Sequence, residues 1–532
     1  NQGMLTTLFV IAVVFFVAAF MIYGKFQKNL YGLDDKNETP AKVYFDGMDY
    51  VPTHPAVLLG HHFASIAGAG PIVGPIAAAS MFGWLPAYIW CLIGSAFLGG
   101  VHDAGALVAS IRHKGLSVGE VVDHWIGHRA KKIFLTFTWL ALTLVIAVFL
   151  ELAANTFAAD PAVAFSGLLY IGMALVFGVL IYRKGVSLLV MTLVMVPIVI
   201  GAVFYGSSAE WVQQSFSFPN TTWRWVLVVY IFAASVLPVW LLLQPRDYLA
   251  SYLLSCSVFI GAVGMIFGAK TFEVALPAFK GFTGPKGEPI WPLLFVIVAC
   301  GAISGFHSLV GSGTTAKQLR KETDAIGVGY GAMLIEGLVA VIAIGTVMIA
   351  GTILKGGPTV TYGAGLGKFA ALIGIPEKVG TSLGLLALNS FILTSLDTAT
   401  RLARYQLQEF TDMKVDRYTA TAIGVAVACG LVFMKTGGKP AWQLIWPVFG
   451  ASNQLVAALA LLAIGVWIIK GLKKSANFVM IPMVFMLVTT IAALFLLIKD
   501  NMSNLFLSGI SVVLLLLAIM LVKEAWGAIK KA

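Results

Sequence analysis

Long apolar runs recur along the whole chain, and the polar positions between them come in short clusters. The runs at 133–150, 168–182 and 507–522 show the pattern clearly. With their flanks they are long enough to cross the hydrocarbon core of a bilayer. Fifteen such segments are readable, at 4–23, 57–81, 85–110, 132–154, 162–182, 187–206, 223–244, 249–269, 291–312, 326–354, 380–396, 418–435, 443–469, 478–498 and 505–523. The first is longer than a typical signal h-region and no basic residue precedes it, so it reads as a helix of the mature chain. The pattern predicts an all-α polytopic membrane protein with about fifteen transmembrane helices.

Two segments are not uniform. Segment 57–81 holds Gly60, Gly68, Gly70, Pro71, Gly74 and Pro75, too many breakers for one continuous helix. Segment 223–244 carries Ala234-Ser235-Val236-Leu237-Pro238 and runs into Gln244-Pro245-Arg246-Asp247-Tyr248. A helix unwound inside the bilayer frees amides and carbonyls that lipid cannot satisfy, so such a break must line a protein cavity. Five segments separate the starts of these two, so they enter from opposite sides. That arrangement predicts a LeuT-type inverted repeat with alternating access. The expected division is an N-terminal helix and cytoplasmic loop over 1–56, a ten-helix core over 57–396 and four further helices over 397–532. Simple proline kinks are the alternative reading.

Composition agrees with the pattern. The 532 residues are 59% hydrophobic and 11% charged, against about 25% charged in soluble domains. The net charge of +11 would otherwise raise nucleic acid as a partner. On alternate loops, however, 25 of the 35 Lys/Arg fall on one side, so the excess orients the chain by the positive-inside rule. The basic loops include 111–132, 317–325, 397–417, 470–477 and the C-terminal tail, which places these in the cytoplasm and the N-terminus outside. Nucleic acid is excluded as a partner; the bilayer is the expected one. The four cysteines, Cys91, Cys256, Cys300 and Cys429, are isolated, so neither zinc nor a disulfide frame is expected.

Ionisable residues within spans are costly and mark candidate function. Asp103 follows His102, and Ser95, Gly99 and Asp103 share one helix stripe at i, i+4 and i+8. The small residues would admit a close neighbour, with Asp103 facing it as a proton or cation site; an interfacial pair near Arg112 is the alternative. Glu336 stands alone deep in segment 326–354, as a carboxyl for protonation or as one held neutral for packing. The run Gly301–Thr315 is rich in hydroxyls, with Ser304, Ser308 and Ser312 on one stripe beside His307. Such oxygens suit Na⁺ or a carboxylate, or bond their own helix backbone. His61 and His62 point about 100° apart on a helix, which makes them poor joint ligands for a metal.

Other motifs fail. Gly68-x-Gly70-x-x-x-Gly74 has neither the strand nor the acidic residue of a dinucleotide loop. The run Gly311–Lys317 lacks Walker spacing, and no nucleophile elbow is present. No cofactor and no enzymatic activity are expected.

Four blocks carry a family resemblance: Gly60–Pro71 (GHHFASIAGAGP), Ser304–His307 with Ser312–Thr315, Gly329–Met333 (GYGAM) and Phe449–Gln454 (FGASNQ). They span about 43 to 465 and resemble the CstA carbon-starvation family, in its shorter form. The resemblance implies uptake of peptides, or in some members of pyruvate driven by protons, across the bacterial cytoplasmic membrane. The LeuT-type fold is implied as well.

Together these readings assign His61, His62, Ser65, Gly68, Gly70, Ser235 and His307 to substrate. Asp103, Ser304, Ser308, Ser312, Thr315 and Glu336 are assigned to a coupled H⁺ or Na⁺. Half-helix N-termini would hold a substrate carboxylate, and the histidines either titrate or bond freed carbonyls. A channel would need a continuous polar stripe, and a sensor an appended signalling domain; isolated polar clusters favour a carrier.

Overall fold

The computed structural model describes residues 3–47, 50–238 and 241–531, and every element of eight or more residues in it is helical. Helix occupies each of the fifteen predicted segments. Twelve helices are long and apolar enough to cross a membrane among the described residues, and a bent pair adds a thirteenth. Two others, Asn220–Val236 and Arg417–Val432, have 17 and 16 residues. The shortfall from fifteen full crossings therefore lies in length, not position.

The elements are α1 (Met4–Tyr31), α2 (Pro55–Ala67), α3 (Gly70–Phe82), α4 (Trp84–Ile111), α5 (Val118–Trp125), α6 (His128–Ala159), α7 (Pro161–Tyr182), α8 (Leu188–Ser208), α9 (Asn220–Val236) and α10 (Leu243–Phe267). They continue with α11 (Ile290–Val298), α12 (Phe306–Gly313), α13 (Ile326–Ala350), α14 (Pro358–Ala371), α15 (Glu377–Phe410), α16 (Arg417–Val432), α17 (Ala441–Trp467), α18 (Asn477–Asp500) and α19 (Leu505–Lys530).

The first interruption lies where the breakers predict it. Helices α2 and α3 meet at 47°. Gly68 sits there at φ +52°, a left-handed conformation that a residue without Cβ adopts at least cost. The second predicted interruption coincides with a helix end: α9 stops at Val236 ahead of Pro238 and α10 begins at Leu243, with residues 239–240 between them outside the described residues. A further break parts α11 from α12 over 299–305, with Ala299 at φ +49°. This break holds Gly301, Ser304 and Gly305 and no proline, so proline spacing does not mark it.

The two broken spans cross closely and antiparallel. A Cβ on Gly70 would overlap Cys300, and one on Gly74 the Val298 carbonyl. Each broken span is followed by a helix containing a π turn, Ser95–Gly99 in α4 and Ile326–Tyr330 in α13. The two long helices α6 and α15 pack antiparallel along their length. Thr156 meets Asn389 at one end of that contact, and Thr138 meets Gln406 at the other.

Candidate functional site

Small residues bring α4 against the second break, as the Ser95/Gly99/Asp103 stripe requires. Ser95 Oγ donates to the Gly301 carbonyl at 3.0 Å, and a Cβ on Gly99 would overlap the Ala302 carbonyl. One turn further along, Asp103 faces α12. Its Oδ2 lies 2.8 Å from His307 Nδ1, and its Oδ1 lies 2.7 Å from His102 Nδ1. On the other side of the same imidazole, His307 Nε2 stands 3.1 Å from Glu336 Oε2 of α13, within ion-pair distance but off line for a hydrogen bond.

Four ionisable side chains, His102, Asp103, His307 and Glu336, thus form one continuous chain, and all are buried. Asp103, His307 and Glu336 are predicted site residues that the fold unites. His102 was given no role of its own, yet it holds the outer carboxylate oxygen of Asp103. Its Nε2 and both Glu336 oxygens have no hydrogen-bond partner. Buried charge in this setting is costly unless it is paired or neutralised by a proton.

The remaining assigned residues divide. His62 is buried and its Nδ1 lies 2.8 Å from Thr315 Oγ1, so it ties α2 to the end of the second broken span. His61 is half-buried, and its carbonyl accepts the Ser65 hydroxyl at 2.9 Å. Ser308 and Ser312 donate to the carbonyls of Gly305 and Ser308, both at 2.6 Å, as serines in helices commonly do. Ser304 Oγ accepts from Asn453 Nδ2 at 2.9 Å. Gly68 forms the first break and Gly70 the contact between broken spans, both through backbone. Ser235 is not brought to this cluster: its hydroxyl pairs with Thr421 on α16 at 2.8 Å.

Helix α17 supplies residues that the sequence reading left without a role. Asn453 Oδ1 accepts from Phe306 N–H at 3.0 Å, and its carbonyl accepts from Gly305 N–H at 3.1 Å. Trp446 Nε1 donates to the Ile297 carbonyl at 2.9 Å, and Gln454 Nε2 to the Phe295 carbonyl at 2.5 Å. These four contacts occupy backbone groups that the break would otherwise strand. The FGASNQ block was visible as a pattern, but an amide whose work is to saturate another helix's ends carries no local signature.

A second buried charged group lies apart. Arg246 of α10 is paired with Asp397 of α15, and Tyr230 of α9 bonds both. Asp247 and the Leu393 carbonyl also accept from Arg246. By its hydrophobic pattern the span ends at 396 and Asp397 falls in a loop; α15 in fact continues to Phe410.

A family model described as Carbon starvation protein CstA matches residues 4–356 and 347–493. The chain belongs to this family. The peptide transporter CstA of Campylobacter jejuni is 34% identical over 91% of this chain and 79% of its own length. The peptide transporter CstA of Escherichia coli K12 is 32% identical over 91% and 80%. The pyruvate/proton symporter BtsT of the same organism is likewise 32% identical, over 91% and 80%. Among solved structures, a manganese transporter of Eremococcus coleocola is similar at TM-score 0.47 and 13% identity, covering 89% of this chain and 94% of that one. This CstA-family chain is a multi-pass membrane protein of transporter kinship.

Proposed function

We propose that this chain is a secondary active transporter that imports small peptides across the bacterial cytoplasmic membrane, driven by a proton gradient and serving uptake under carbon starvation. The observation that carries the reading is the buried chain His102–Asp103–His307–Glu336 at the second break. With Asp103 ionised, His307 protonated and Glu336 neutral, the chain carries no net charge. Losing one proton leaves a charge far from water. Loading and unloading that proton is therefore linked to a change in which side the site faces.

H⁺ is the ion that the buried chain of ionisable groups can itself carry. Ser308 and Ser312 donate to their own backbone, Ser304 accepts from Asn453 and Thr315 is paired with His62. The arrangement of spans supports alternating access through an inverted repeat. One half would hold α2/α3, α4, α6, α7 and α8; the other, α11/α12, α13, α15, α16 and α17. On this reading α9 and α10 are inserted between the halves, and the core extends past 396.

Pyruvate is the second cargo to weigh, because one relative of equal similarity carries that name. Both cargoes bear a carboxylate suited to a half-helix N-terminus. The test is uptake by purified protein in liposomes, comparing labelled dipeptide with pyruvate under imposed H⁺ or Na⁺ gradients. Accumulation of dipeptide under the H⁺ gradient alone supports the proposal. Accumulation of pyruvate but not dipeptide moves the cargo, and no accumulation of either overturns coupled transport.

A further inference from the structure

The edge where α6, α15 and α16 converge carries four basic side chains: Arg404 has Arg401 and Arg417 as neighbours, and Lys132 lies over Phe410 further along α15. None of them belongs to an ion pair among the described residues. Arg401 and Arg404 are 9% and 8% exposed, and the Nε of each lacks a hydrogen-bond partner. Arg401 is held by backbone carbonyls alone, donating through Nη2 to Ala234 at 2.9 Å and Leu237 at 2.6 Å. The nearby acids are engaged elsewhere: Glu409 pairs with Lys131 at 3.3 Å, and Asp416 accepts from Tyr418 and Thr419.

Arg401 and Arg404 are cations held close together at low exposure, and among the described residues no carboxylate pairs with either. Their setting identifies what would. Three of the four basic side chains lie over aromatic rings: Arg404 at 4.4 Å from the Tyr405 centroid, Arg417 at 5.0 Å from Tyr418 and Lys132 at 5.4 Å from Phe410. Those rings are 47%, 51% and 38% exposed. Exposed Tyr and Phe flanking apolar spans mark headgroup level, and guanidinium forks match the oxyanion geometry of a phosphate.

We infer that Lys132, Arg401, Arg404 and Arg417 form a binding site for the phosphate of an anionic phospholipid, seated between α6, α15 and α16. Because Arg401 also holds the Ala234 and Leu237 carbonyls, the bound headgroup would steady the C-terminal end of α9. The inference does not depend on the cargo or the coupled ion.

The test is thermal unfolding of the purified full chain in a neutral detergent. The additions are phosphatidylglycerol, phosphatidylcholine or inorganic phosphate. Phosphatidylglycerol is expected to raise the midpoint, phosphatidylcholine and phosphate are not, and added salt should shrink the rise. In R404Q/R417Q the rise should fall to less than half. Lys132→Gln, an exposed position, serves if that double variant does not fold, with lipid retention in native mass spectrometry as its readout. An undiminished rise or retention in these variants, or an equal rise with phosphatidylcholine, overturns the site. An equal rise with inorganic phosphate overturns the lipid as its occupant.

Discussion

His307 reaches two carboxyl groups from the two nitrogens of one ring: Asp103 Oδ2 at 2.8 Å from Nδ1 and Glu336 Oε2 at 3.1 Å from Nε2. Both contacts cross between helices, to α4 on one side and α13 on the other. A proton on this ring therefore joins three elements, and its absence leaves two carboxyls facing a neutral group.

Substituting Glu336 by Gln fixes the neutral form of that carboxyl while keeping its shape. Gradient-driven accumulation in liposomes should fall by at least about tenfold, an energy on the scale of one pKa unit. Exchange of labelled for unlabelled cargo, which needs no net proton movement, should persist. Asp103→Asn should impair both, because His307 then loses its charged partner. Equal loss of exchange and accumulation in Glu336→Gln would mean that Glu336 does not load the proton.

The adjacent histidines should separate in effect. His62→Ala removes the bond to Thr315 and leaves a void between the broken spans, at an expected stability cost of about 1–3 kcal/mol. His61 is half-buried and engages Ser65 only through its carbonyl, so His61→Ala should change stability by no more than about 0.5 kcal/mol. Denaturation midpoints of the two variants, with uptake measured alongside, check this. Matching losses would contradict the placement.

Much of this arrangement can be read from residues. Six breakers in 57–81 locate the first break, and the Ser95/Gly99/Asp103 stripe locates the close approach of α4. The lone positions of Asp103 and Glu336 in apolar surroundings mark two members of the buried chain. The end of α9 ahead of Pro238 is legible because proline is a strong local signal, whereas the break over 299–305 holds no proline and shows only as glycines in an apolar run. Pairings across about 150 residues, such as Arg246 with Asp397 or Asn453 with Phe306, leave no local trace. Asp397 was hidden further because a charge read along the chain looks like a loop until its partner is known.

Glu322 ties three segments at one end of the molecule. It accepts from Arg112 at 2.5 Å and 3.1 Å, from Asn37 at 3.1 Å and from the Asp34 N–H at 3.3 Å. Beside it, residues 51 and 53 donate to the carbonyls of Lys317 and Gln318, joining the approach to α2 with the exit from α12. Glu322→Ala should loosen this closure, so that a thiol placed by Thr53→Cys reacts faster than in the Glu322 background. Nearby, the Thr323 hydroxyl holds the exposed Asp35 carboxyl below its usual range. An acid depressed in the folded state stabilises above its unfolded pKa and stops doing so as pH falls through the folded value. Acidification below about pH 4 should therefore raise the labelling rate relative to that of a freely exposed cysteine at the same pH, even with Glu322 intact, the reference correcting for the scarcer thiolate. Labelling rates that ignore both changes would show that the edge is held elsewhere.

The Arg246–Asp397 pair allows packing and charge to be told apart. Both side chains are wholly buried. Removing Arg246 strands the Asp397 carboxylate, and removing Asp397 leaves Arg246 with only the partly exposed Asp247 as a carboxylate partner; breaking a buried pair typically costs about 3–5 kcal/mol. Arg246→Met and Asp397→Leu should each lower the denaturation midpoint sharply. The double variant removes both charges and should recover most of that loss, since well-packed apolar residues commonly replace a buried pair at little cost. Tyr230 would then be left without its two polar partners, which sets the part not recovered. If the double variant is stable yet inactive in uptake, the pair has a role in transport beyond holding α10 to α15. If it is no more stable than either single variant, the pair is not an isolated charge couple, and the network around Tyr230 and Asp247 must be treated as one unit.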